Sequence, residues 1–183
     1  MLFLETLTKE QLRSSLVTWP DKIIQLKASP DVKVYASNLE IGTNTGYWVT
    51  PKFTVSNLSN KAVVMMEFGP ELKHHIEKMN GLIVERLKEL FPGHDIRPLW
   101  RKEECLYMNL CHTWGNVAQL KLEFPDPKQN MHLYGLEAIK NTLDGMTICA
   151  VLTMKFPFIT VKNNTVYMIP TLEGIFNCIP STG

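Results

Sequence analysis

No stretch of this 183-residue chain approaches the about 20 consecutive apolar residues that a helix needs to cross a bilayer. The opening MLFLETLTKEQL has no basic segment ahead of an apolar run, so no secretory signal is expected. Cysteine is scarce. Cys105, Cys111, Cys149 and Cys178 have no framework spacing, and without a secretory signal they are expected as reduced thiols. Excess charge is missing as well. A net charge of +1 excludes the global basic field of a protein that coats duplex DNA nonspecifically, and leaves open only a local basic groove. These absences together point to an intracellular chain, nuclear or cytoplasmic, with no membrane partner.

Catalytic signatures are also lacking. The chain contains no G-x-S-x-G, no P-loop, no G-x-G-x-x-G and no H-E-x-x-H. His74 and His75 are neighbours on a helical stretch, where adjacent side chains point about 100° apart and do not converge on a metal. Cys105, Cys111, His112, His132 and Cys149 are ligand types for zinc, but no C-x-x-C pair exists. Cys111 and His112 would face opposite sides of a strand, so buried thiols are the expected state and no metal or cofactor is expected. Glu103-Glu104 and Asp126 lie in polar connections with no nucleophile or base to work with. A non-enzymatic role is therefore expected.

What is present is one long amphipathic helix among strands. In PELKHHIEKMNGLIVERLKELF (70–91), Leu72, Ile76, Met79, Ile83, Leu87 and Leu90 recur three or four apart. Pro70 suits a first helical position, and Phe91-Pro92-Gly93 is a stop. Gly81 costs about 1 kcal/mol against Ala in a helix interior. A shorter helix begins at Thr8, whose spacing to Gln11 is that of a capping box. Strand patterns cover 32–39, 47–55 and 62–68 before the long helix, and 105–110 and 117–124 after it. A polar loop follows, with a short helix over 136–143. Further strands are predicted around 148–154, 158–161 and 166–169, the last two joined by a hairpin turn at 162–165.

Three strands, a helix and two strands is the order of an OB-fold barrel, whose helix lies between the third and fourth strands. The predicted fold is mainly β with an inserted helix, of the α+β class: an OB-like five-stranded barrel with a C-terminal β extension. The chain reads as one domain, with 1–30 a helix and linker, 31–124 the OB-like core and 125–183 the β-rich extension. A β-sandwich with an inserted helix is the rival arrangement. With Val32, Val34, Val49 and Phe53 in the barrel core, Lys33, Tyr35, Trp48 and Lys52 face outward together on adjacent strands. Exposed rings flanked by lysines make a stacking platform with phosphate partners. Arg97, Trp100, Arg101 and Lys102 add cations before the fourth strand, His112 and Trp114 sit at the turn after it, and Lys121 extends the rim. For each single aromatic the alternative is packing against a neighbouring helix or the tail.

The strands, the helix PELKHHIEKMNGLIVERLKELF, YMNLC, VAQLKLEF and the tail AVLTMKFPFITVKNNTVYMIPTLEGI resemble OB-fold single-stranded-DNA-binding proteins of large DNA viruses. The resemblance implies a protein that coats single strands during replication or recombination, often through self-association. The expected partner is single-stranded DNA, ahead of RNA. The alternative is an assembly or interaction module that associates through sheet edges and the apolar tail, without nucleic-acid affinity.

Overall fold

The computed structural model describes residues 1–25, 31–56, 61–99, 104–112 and 117–180. The first elements are β1 (Leu2–Phe3), α1 (Lys9–Ser15), β2 (Ile23–Gln25), β3 (Val32–Gly42), β4 (Tyr47–Val55) and β5 (Ala62–Phe68). The long helix α2 (Pro70–Leu90) follows, then β6 (Asp95–Ile96), β7 (Cys105–His112), β8 (Ala118–Leu122) and β9 (Met131–Tyr134). The chain continues with α3 (Leu136–Leu143), β10 (Ile148–Lys162), β11 (Thr165–Tyr167) and β12 (Thr171–Pro180). No helix among the described residues is long and apolar enough to cross a membrane.

The helices follow the residue pattern closely. Thr8 caps α1: its hydroxyl accepts from the Gln11 N–H at 3.2 Å, and the Gln11 side chain accepts from the Thr8 N–H at 3.0 Å. Along α2, Leu72, Ile76, Met79, Ile83 and Leu87 are all buried and Leu90 packs partly against the same core. Full burial of each such side chain contributes roughly 1.5–3 kcal/mol. α1 lies along α2, held in register by Lys9–Glu85 and Arg13–Glu89 ion pairs of 2.6 and 2.9 Å. Exposed pairs of this kind position the helices more than they stabilise them. Gly81 sits on the wet side, and a Cβ placed there would meet nothing within 4 Å. Gly81→Ala should therefore stabilise the protein by about 0.5–1 kcal/mol, read as a rise in the midpoint of urea unfolding without a change in slope.

The strands do not form the expected barrel. An OB arrangement needs β3 to pair with β4, but β3 pairs instead with β10, from Val32 opposite Lys162 to Gly42 opposite Thr153. β4 joins β10 only at residues 148–150 and otherwise pairs with β5. Among the described residues twelve strands join in one mixed sheet, along the order β1-β3-β10-β4-β5-β7-β12-β8-β9. The pairings β10–β4–β5–β7–β12–β10 do close on themselves, but this circuit is no five-stranded barrel. β12 meets β7 and β8 in parallel over two residue pairs each, and β10 runs on past the circuit with β3 and β11. The segment 125–183 is thus no extension of a core at 31–124. It supplies the strand on which the sheet is centred.

Pro51 shows how the sheet tolerates its interruptions. It stands opposite Met66 in an unbroken β4–β5 ladder, and its carbonyl accepts from the Gly145 N–H on the other edge. That edge has already parted from β10, so a residue without an N–H costs no ladder bond there. Two residues on, the Asp144 carboxylate accepts from the Phe53 N–H at 2.7 Å, so the end of α3 completes the edge of β4.

Candidate nucleic-acid interface

The site begins where α2 stops. Gly93 takes a φ of +83°, a left-handed conformation that glycine adopts without strain, and turns the chain back toward the sheet. β6 then pairs in parallel with β11, with Asp95 opposite Thr165 and Ile96 opposite Val166. The Arg97 N–H donates to the Val166 carbonyl at 2.9 Å. This fixes the Arg97 guanidinium over the Tyr167 ring, 3.9 Å from its centroid. A guanidinium keeps its charge throughout the physiological range, and an exposed cation on an aromatic face is held at a cost of little entropy.

Tyr167 is opposite Thr160, because the hairpin at 162–165 closes as its residues predict, with Asn163 at a φ of +56°. Next to Thr160 on the same side lies Phe158, whose side chain is 44% exposed while Phe156, two residues back, is 0% exposed. A regular strand would put both rings on one face. Here the register of β10 on β3 shifts between Phe156 and Phe158, and the buried positions change from even to odd numbers across Pro157. Phe156 enters the core and Phe158 is left in solvent.

Phe158, Thr160 and Tyr167 form one wall of a cleft of about 330 Å³, faced by Lys61, Asn109 and His112. Burial lowers the His112 pKa from its ordinary value and the Lys61 charge lowers it further, against a hydrogen bond to the Leu110 backbone that acts the other way. The ring is therefore neutral at pH 7 and contributes a flat polar surface rather than charge. Cys111 lines the same cleft, and burial raises its thiol pKa, with the Glu173 charge acting the same way. It is a protonated thiol at neutral pH, its Sγ 3.7 Å from the Leu172 carbonyl. Among the described residues no group of three or more His, Cys, Asp or Glu side chains comes together as a metal would need. No disulfide links Cys105, Cys111, Cys149 and Cys178.

The residues singled out from the sequence are scattered around this geometry. His112 lines the cleft, and Arg97 adjoins it through its contact with the Tyr167 ring. Lys33 and Tyr35 do not face solvent together with Trp48 and Lys52: Lys33 is opposite Val161 and Trp48 opposite Cys149, twelve residues apart along β10. That is about 40 Å of extended strand. Tyr35 is half-buried against the core, its ring 5.5 Å from that of Phe91, so the expected platform is split. Trp48 is 53% exposed and borders a separate cleft of about 270 Å³ at the start of α2. Lys52 is held by Glu67 at 2.8 Å, which offsets its charge locally. Lys121 is exposed on β8, opposite His132, and its charge reaches Cys111. Trp100, Arg101, Lys102 and Trp114 lie outside the described residues.

Neither a family model nor a curated protein matches this chain.

Sequence reasoning missed Phe158, Tyr167, Lys61 and Asn109. The hairpin turn at 162–165 already implied that Thr160 and Tyr167 share a face, which was the one available signal. Phe158 carried no such signal, since its spacing from Phe156 predicts the same environment for both rings.

Proposed function

We propose that this chain binds single-stranded DNA, with bases stacking on Phe158 and Tyr167 and phosphates meeting Arg97 and Lys61. The observation that carries this reading is the exposed ring of Phe158 in one open cleft with Tyr167, whose ring is capped by the exposed guanidinium of Arg97. Aromatic faces accept every base, so affinity would be largely independent of sequence, and each stacked base contributes roughly 1–3 kcal/mol. Duplex DNA hides its base faces and is disfavoured. A near-zero net charge keeps the electrostatic contribution local, so the salt dependence should be shallow, with the slope of log K against log salt near −0.7 per phosphate contacted.

The test is fluorescence anisotropy with labelled oligo(dT) at low and high salt. Binding is expected to weaken with salt, and Phe158→Ala combined with Arg97→Ala should weaken it about 10- to 100-fold. Absence of binding at low salt, or equal affinity of the double variant, would sink the proposal. An interaction module without nucleic-acid affinity would then be the better reading.

A further inference from the structure

A second cleft lies on the other face of β10. Thr160 and Tyr167, opposite one another on β10 and β11, line the first cleft; Val161 and Lys33, opposite one another on β10 and β3, line the second. Successive strand residues point to opposite faces, so the two clefts are back to back across the end of the sheet. The second has a volume of about 350 Å³ and is bounded by Lys33, Tyr35, Phe91, His94, Asp31 and Asn163. Its rings form an edge-to-face series, Tyr35 on Phe91 at 5.5 Å and His94 on Phe91 at 5.9 Å. The hairpin tip separates the two clefts, and it carries the exposed residues Lys162, Asn163 and Asn164.

We propose that the second cleft is a subsite for the same single strand, which passes from Phe158 and Tyr167 over the hairpin tip to Tyr35. This rests on the nucleic-acid reading above and extends it to a longer contact. In the second cleft Tyr35 supplies a ring, Lys33 a phosphate contact, and the Asp31 carboxylate and Asn163 amide offer acceptors and a donor to a base edge. Asp31 is held in place by the hairpin, since its carbonyl accepts from the Asn163 N–H at 3.0 Å. Lys162 at the tip meets the backbone between the two subsites. From Phe158 out to the tip at Asn163 and back to Ile159, which is opposite Tyr35, is about nine residues of strand, roughly 30 Å, so a strand that joins the two clefts must be much longer than one that fills a single cleft.

The experiment compares labelled oligo(dT) of ~4 nucleotides, enough for one cleft, with ~12 nucleotides, enough for both. The full chain should bind the longer strand more tightly than the shorter. Tyr35→Ala with Lys33→Ala should weaken the longer strand about 10-fold and leave the shorter one unchanged, and Tyr35→Phe with Lys33 intact should restore most of the loss. Equal effects on both lengths, or none on the longer, overturn the second subsite while leaving the first intact. If the unsubstituted chain binds neither length, the nucleic-acid reading fails and the subsite with it. Thermal melts of each variant show whether a loss of binding reflects unfolding, and Lys162→Ala, at an exposed tip, gives an independent reading: it should weaken the longer strand alone.

Discussion

Replacing Phe156 with Ala should cost about 3–5 kcal/mol of stability, whereas the same change at Phe158 should cost about 1 kcal/mol or less. Phe156 is fully buried among core side chains and leaves a cavity when truncated; Phe158 gives up a ring that is nearly half in solvent. Two phenylalanines separated by one proline therefore part into different roles. Urea denaturation of the two variants measures the contrast directly. In the binding assay the order reverses: Phe158→Ala should lose affinity while keeping its melting temperature. Phe156→Ala, in whatever fraction stays folded, should bind as before. Similar destabilisation by both changes would mean that the register shift at Pro157 does not separate the rings.

A fragment that stops at Gly145 should show no cooperative unfolding transition. The pattern of the residues suggests the opposite, since 31–124 contains five strands and the long helix and reads as a self-sufficient core. Among the described residues β3 has no long partner except β10, and β4 and β12 both draw on the first part of that strand. Without β10 and β12 the buried side chains of β3 and α2 lose much of the surface that covers them, and a row of unpaired N–H and C=O groups is left along β3. Circular dichroism and thermal denaturation of the fragment decide the matter. A sigmoidal melt with native-like signal would show that the last strands are an extension after all.

Most of the elements were legible and their assembly was not. The stripe from Leu72 to Leu87, the capping box at Thr8, and the strands at 47–55 and 62–68 are local patterns, and local physics fixes them. The hairpin at Asn163 is local too. Pairing β3 with β10 joins residues more than a hundred positions apart, and no periodicity reports that. β10 was further disguised, because Pro157 and the switch of buried parity make one strand look like two. The site inherited both difficulties. Arg97 and His112 were found as isolated polar residues beside strands, but what they face depends on β10 and β11. Placing Tyr35 outward assumed that Val32 and Val34 pointed into the main core. Both valines are buried, yet neither belongs to the main cluster, and Tyr35 is half-buried with its ring against Phe91, in a cleft far along β10 from Trp48.

The late position of β10 also sets a clock on biosynthesis. A ribosome adds about 5–20 residues each second, so β3 emerges roughly 5–25 seconds before the strand that will cover its edge has been made. During that interval Leu39 and Ile41, both fully buried in the finished protein, have no place to go. Long-range pairing of this kind also closes slowly once all the parts exist. The nascent chain's chief aggregation hazard is thus the open side of β3, and it lasts until residue 162 has been synthesised and docked.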